Sequence, residues 1–476
     1  MKKKILIGSI IGIVLVVAII IGAVFLLGNK EEKKKGELEF ALNEDGESYS
    51  VVGLGNYSNT DVVIPDTYKG KPVTKIADKA FYGIDIVSVN GGISQGKLND
   101  CAQITSIVIP DFVTSIGYEA FLGCRSLTNI TIPNSVTYIG SSAFAYCASL
   151  TRIMLPDSVT YIGSSAFQDC ASLTRIILPD SITSIEQYAF AGCSSLATIT
   201  LPDSITSIEQ GAFSGCSSLT TIALPDSVTS IAGFTFSGCA SLVSIEIPNT
   251  LTHIGDFAFW DCVSLKNIEI PNTVVSVGSC AFIGCDSLQY SEYDNAIYLG
   301  NENNPYYLLV RGKDENITSC KVHDETKIIA SKAFSDCVSY YSVTIITPIN
   351  SNNSNNDEEY VEHSHSHGSD ANGENNTNNT LGNENMIYYA KACALMESIT
   401  IPNSVENIGG GVFGGCISLA NVYFGGTVVE WKSIAVNLGW TDIIISGIHT
   451  PTTPTSYIVY CTDGQIEKDG TVTYYQ

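Results

Sequence analysis

The chain has 476 residues, 45% of them hydrophobic and only 15% charged, with 48 acidic against 24 basic residues and a formal net charge of −24. Seven of the basic residues lie in the first 35 positions, so the rest of the chain is more acidic still. Such a surface repels phosphate backbones and anionic lipid, which argues against a nucleic-acid role and suits an ectodomain that meets neutral or cationic partners.

Residues 1–4 carry three lysines, and residues 5–28 carry no charge at all. At about 1.5 Å per residue a helix over that run spans the roughly 30 Å bilayer core. The run exceeds the apolar region of a cleaved signal peptide, and "VFLLGNK" offers no good small-x-small site. It reads as an uncleaved signal anchor, with 1–4 as an N-terminal flank and 29–35 as a charged linker. Three lysines precede the span and four follow it, so the lysine count does not set its orientation.

Residues 36–100 read as an N-terminal cap and first repeat, with one lengthened unit at 82–100. From 101 to 289 the chain repeats itself. Cysteines stand at Cys101, Cys124, Cys147, Cys170, Cys193, Cys216, Cys239, Cys262 and Cys285, each 23 residues after the last, and the register reads as resuming at Cys337, Cys393 and Cys416. The unit is C-x-x-L-x-x-I-x-L-P-[DN]-x-[VI]-x-x-I-x-x-x-A-F-x-x, a period and leucine spacing that mark one coil of a leucine-rich solenoid. In "SLTRIMLP" Ile153 and Leu155 alternate inward with Arg152 and Met154 outward, the period of a strand. Pro156 ends the strand, Asp157 and Ser158 turn the chain, and Phe167 plugs the coil that Cys170 closes. The fold class expected is an α/β-type repeat solenoid of short parallel strands and turns behind one transmembrane helix.

The ladder cysteines read as buried free thiols filling the same small slot in every coil. Disulfides between stacked neighbours and metal ligation are the alternatives, and no C-x-x-C pair favours zinc. Cys320 falls where other coils place an inward Ile. Cys280 and Cys461 stand off the ladder and read as the thiols most exposed or reactive.

Residues 290–347 read as a β-hairpin insertion, extending from the solenoid around an Asn-Pro turn, followed by a degenerate repeat. Residues 348–385 are rich in Asn and Ser with almost no apolar residue, a disordered loop thrown out of one coil. Within it His363, His365 and His367 alternate, candidate ligands for a weakly held Zn²⁺ or Ni²⁺ against the plainer reading of a solvated tract. Residues 386–424 carry the last repeats, and 425–476 a C-terminal cap and tail.

The unit "CxSLTxIxLPDSVTSIxxxAFxGC" resembles the BspA-like class of bacterial leucine-rich repeats. "DVVIPDTYKGKPVTKIADKAF" is similar to the family's first coil, "VYFGGTVVEWKSIAV" and "IVYCTDGQI" to its C-terminal cap, and "LGNENNPYYLLVRGKDENITSCKVHDETKIIASKAF" to an insertion seen in many members. The resemblance implies a surface-exposed solenoid that binds proteins, some members acting in adhesion to host matrix or other cells. It implies no catalytic residue and no cofactor. The expected placement follows: a single-pass cell-membrane protein, N-terminus inside, repeat domain outside.

No nucleophile elbow, zinc helix or phosphate loop appears, and Ser, Cys and Asp recur at repeat positions where packing accounts for them. The chain therefore reads as a non-enzymatic, membrane-anchored scaffold for protein interaction or adhesion. The alternative is a structural envelope protein that self-associates. The candidate contact surface is the outward strand face, where Arg152, Met154, Arg175 and Ile177 lie toward one end and Glu246 and Glu269 toward the other.

Overall fold

The computed structural model describes residues 37–89, 92–98, 100–335, 337–339, 344–347, 361–364, 387–390, 393–435, 457–467 and 470–475. Two short parallel ladders run along the stack of coils. One joins Asp61–Val63, Ser106–Val108, Asn129–Thr131, Arg152–Met154 and Arg175–Ile177. The other joins Lys71–Ile76, Ser115–Ile116, Tyr138–Ile139 and Tyr161–Ile162, preceded by the antiparallel pair Glu39–Leu42 and Tyr49–Gly53. Both continue in shorter pieces, as in Thr221–Ala223 beside Ser244–Glu246 and Ser184–Ile185 beside Ser207–Ile208.

Each coil folds as its pattern dictates. Ile153, Val159, Ile162, Phe167, Cys170 and Leu173 are all buried, and Val159 N donates to Pro156 O at 3.0 Å to close the turn after the strand. A single unit could not bury these side chains, so the stack is the unit of stability. The phenylalanines form a continuous pile: from Phe81 through Phe121, Phe144, Phe167, Phe190, Phe213, Phe236 and Phe259 to Phe282, successive ring centroids lie 5.2–5.8 Å apart. Phe81 stacks directly on Phe121 because the intervening excess is looped out as the hairpin Ile84–Val89 and Gly92–Leu98.

The α/β-type expectation is corrected on the side of the coil away from the strands. That side is made of turns; among the described residues the one α-helix is Val428–Ala435. The reason is local. Ser165 and Asp169, both at φ 55°, flank the buried Phe167, and the corresponding pair recurs as Ser142 and Tyr146, or Tyr188 and Gly192. Two left-handed residues four apart in each coil prevent a helical turn.

The insertion differs from expectation as well. It is a three-stranded antiparallel unit, Ser291–Tyr293, Ala296–Asn301 and Asn304–Gly312, and its last strand pairs in parallel with Ile328–Ile329. It does not project from the stack but seats on the preceding coil: Ile270 N donates to Gly300 O at 2.9 Å, and Tyr307 Oη donates to Asn272 O at 2.8 Å. Its turn is at Glu302 and Asn303, held by Asn301 Oδ1, which accepts from Asn303 N and Asn304 N at 3.1 Å; Pro305 lies inside the next strand.

Ser319–Lys321 pairs in parallel with Ser398–Ile401, although 79 positions separate Cys320 from its partner Ile399. In the ordinary coils the ladder cysteine's N–H returns to the phenylalanine three residues earlier, as Cys193 N does to Phe190 O. After Phe334 that bond comes from Cys393 N at 3.1 Å. Cys393 therefore takes the slot assigned from sequence to Cys337, whose backbone enters an antiparallel pair with Ile387–Ala390. The +3 position explains the choice: Met396 follows Cys393 and is fully buried in the leucine slot, whereas Tyr340 follows Cys337.

The C-terminal end is closed by Val428–Ala435 and by Ile458–Tyr460, Gly464–Glu467 and Val472–Tyr474, which extend the sheet of Asn421–Phe424. A capping box starts the helix: Thr427 N donates to Glu430 Oε2 at 2.7 Å and Glu430 N to Thr427 Oγ1 at 3.2 Å. Trp431 is buried on the last coils. Among the described residues no helix is long and apolar enough to cross a membrane, and residues 5–28 lie outside them.

Candidate ligand-binding face

The strand face is built by the alternation of each short strand. Ile153 and Ile176 point inward, so Arg152, Met154, Arg175 and Ile177 are exposed on the other side. Parallel pairing in register stacks Arg152 against Arg175 and Met154 against Ile177. The same register carries Met154 to Thr131, Thr131 to Val108, and Val108 to Val63. A row therefore runs Val63, Val108, Thr131, Met154, Ile177, and its four apolar members are 58%, 55%, 73% and 52% exposed in that order. Beyond Ile177 the ladder lapses, Thr198 being bridged to Thr221 alone, and a depression of about 430 Å³ opens there. Arg175, Ile177, Asp180, Thr198, Thr200 and Pro202 line it.

Glu246 and Glu269 lie exposed three and four coils beyond Ile177 on the same row. Val63 and Val108 were absent from the sequence-derived face. The signal was there, because "DVVIP" and "SIVIP" place valine immediately after the repeat's inward residue, as "RIMLP" places Met154.

The serines and cysteines are engaged within the stack. Ser158 Oγ donates to Val136 O at 2.7 Å and Ser204 Oγ to Ile182 O at 2.6 Å, each binding the preceding coil. The thiols do likewise: Cys147 Sγ donates to Phe121 O, Cys170 to Phe144 O, Cys216 to Phe190 O and Cys416 to Phe334 O, at 3.1–3.2 Å. Burial raises the thiols of Cys170, Cys193 and Cys216 well above the ordinary range, with neighbouring thiols adding to it. Cys101, Cys124, Cys239, Cys262, Cys285 and Cys320 are also free and buried.

Two cysteines depart from the sequence reading. Cys280 is 7% exposed and disulfide-bonded, so it is not a free surface thiol. Cys461 is buried in the turn between Ile458–Tyr460 and Gly464–Glu467, and burial pushes its thiol up to about 11. Turn position and nearness to the chain end are poor guides to exposure where the next coil or cap covers both. No group of three potential metal ligands occurs among the described residues; His365 and His367 lie outside them, and His363 falls in the strand Val361–Ser364. In the insertion, Tyr307 is buried, and Tyr306 stacks on His323 with centroids 3.8 Å apart.

The family model described as the BspA type leucine-rich repeat region, in six copies, matches residues 55–170, 91–220, 206–301, 312–356 and 385–447. The chain belongs to the BspA-type leucine-rich repeat family. Among solved structures it is similar to a leucine-rich repeat protein from Bacteroides ovatus, with 27% identity, a TM-score of 0.50, and 82% of this chain and 87% of that one covered. It is also similar to a leucine-rich cell surface protein from Faecalibacterium prausnitzii (23% identity, TM-score 0.41, 84% and 96% covered). A third likeness is to the pneumococcal vaccine antigen PcpA (17% identity, TM-score 0.36, 87% and 100% covered). No curated protein matches. BspA-type repeats are interaction scaffolds, and in this member the outward rows of the strand ladder present exposed side chains in register.

Proposed function

We propose that this BspA-type protein is a membrane-anchored, surface-exposed, non-catalytic scaffold that holds a protein ligand on its strand face. The observation that carries the reading is the in-register row of exposed apolar side chains ending at Met154 and Ile177, with Arg152 and Arg175 beside them. Scattered surface apolar residues need no explanation, but an in-register apolar row broken only at Thr131, with arginine beside Met154 and Ile177, has the composition of an interface core. The uncharged run at residues 5–28 supports anchoring, and the family supports display outside the cell.

The test is affinity. Full-length chain is immobilised through a C-terminal tag and matrix proteins are titrated over it. The variant R152S/M154S/R175S/I177S, shown folded by circular dichroism, is expected to lose at least about tenfold in affinity. Loss of binding on changing Tyr306 and Tyr307, with the four-site variant unaffected, moves recognition to the insertion. Concentration-dependent self-association without any matrix binding favours the structural envelope role.

A further inference from the structure

We infer that the ligand held on the strand face is a charge-graded protein segment, acidic and apolar where it covers coils 152–177 and basic where it covers coils 246–269. The inference rests on the strand-face reading. Its basis is the order of charges along two stacked rows. The first row runs Asn129, Arg152, Arg175, Thr198, Thr221, Ser244, Asn267; the second runs Thr131, Met154, Ile177, Thr200, Ala223, Glu246, Glu269. All these residues are exposed. Arg152, Arg175, Glu246 and Glu269 have no ion-pair partner among the described residues.

The face is thus a dipole on a chain whose overall charge is −24. Its positive pole is set beside the apolar anchors. Small, neutral side chains separate the poles, with the depression of about 430 Å³ at the boundary. Lys266 flanks the acidic pole and trims it without reversing it. The turn after the strand carries Asp157, Asp180, Asp203 and Asp226 but Asn249 and Asn272 in the coils of Glu246 and Glu269, so the rim charge runs the other way and the gradient is confined to the two strand rows.

At about 4.8 Å per coil, Arg175 and Glu246 are roughly 14 Å apart and Arg152 and Glu269 roughly 24 Å apart. A helix of about 16 residues covers the longer distance. Uniformly acidic or uniformly basic partners gain at one pole and lose at the other. A segment graded in the opposite sense satisfies both, which sets its direction along the solenoid as well as its affinity.

Two fluorescent 16-residue helical peptides test this on the full-length protein. The first carries Glu and Leu in one half and Lys in the other; the second carries Lys and Leu in one half and Glu in the other. The first is expected to bind about tenfold tighter at low salt, the size four exposed charge pairs can supply, and the preference is expected to shrink as salt rises. The variant R152E/R175E/E246K/E269K is expected to invert it, a gain of binding that misfolding cannot mimic. Equal binding of both peptides, weakened in each case by M154S/I177S, overturns the charge gradient and leaves the strand face standing. Binding indifferent to M154S/I177S overturns the strand-face reading and the gradient with it. Failure of the first peptide to bind, whether or not the second does, overturns the gradient.

Discussion

The thiol of Cys193 donates to the carbonyl oxygen of Phe167, 3.1 Å away and one coil earlier. Repeated from Cys124 to Cys285, that bond explains why the slot holds cysteine and not merely something small. That carbonyl already accepts from Cys170 N at 3.2 Å, and the thiol is its second donor. Replacing Cys193 by alanine opens a small cavity and removes one of that carbonyl's two donors, an expected loss of about 1 kcal/mol. Serine keeps a donor, so C193S should be the less destabilised of the two. Urea unfolding of the three proteins gives the order; alanine as stable as wild type would show the bond to be incidental.

Thiol chemistry follows from the same burial. Iodoacetamide at mildly alkaline pH should leave Cys193, Cys216 and Cys239 unlabelled in the native protein and label them in denaturant, since burial holds each thiol protonated. Cys280 should stay unlabelled even in denaturant until a reductant is added. A mapped bridge between successive ladder cysteines contradicts this account.

Asp169 gives a pH signature. It occupies a left-handed position that most coils fill with glycine, at φ 55°, and its carboxyl is pressed over Gly192. Burial pushes its pKa up to about 6, against hydrogen bonds from Gln168 and Tyr146 that act the other way. The folded state therefore holds the proton more tightly than the unfolded chain. Below about pH 4 the group is protonated in both states and costs nothing; stability falls as pH rises toward 6, and above that the full penalty remains. D169G should be more stable than wild type by about 1 kcal/mol at pH 4, from relieved backbone strain, and by about 4 kcal/mol at pH 7.5, once the carboxylate penalty is added. A difference independent of pH would assign the whole effect to the backbone.

The anchor is tested on cells. With residues 5–28 spanning the membrane and the repeats outside, external protease should remove a C-terminal epitope from intact cells. An epitope degraded only after lysis places the repeats inside.

Much of this was legible in the sequence because a solenoid writes its packing at a fixed period. The inward Ile153, the plug Phe167 and the outward Arg152 and Met154 follow from one unit, and stacking copies them. What the sequence hid depends on relations between coils. That Cys193 meets a carbonyl of the preceding coil requires knowing how successive coils are offset. The left-handed positions were signalled by Gly211 at the first place and by Gly192 and Gly215 at the second, but masked by Ser165 and Tyr188 at the first and by Asp169 at the second. Cys337 and Cys393 both fit the ladder by residue type, and only Met396 against Tyr340 three positions later distinguishes them. Val63 and Val108 fell outside the expected face because the first coils are interrupted between Phe81 and Cys101.

The most direct test of the strand face uses Met154, 73% exposed, with the fully buried Met396 as internal control. Dilute peroxide oxidises accessible methionine to the sulfoxide, which mass spectrometry quantifies residue by residue. In the free protein Met154 should oxidise rapidly and Met396 hardly at all. With a saturating ligand bound, the account predicts that Met154 oxidation slows at least about fivefold. Unchanged oxidation of Met154 under conditions where the ligand is fully bound would contradict it.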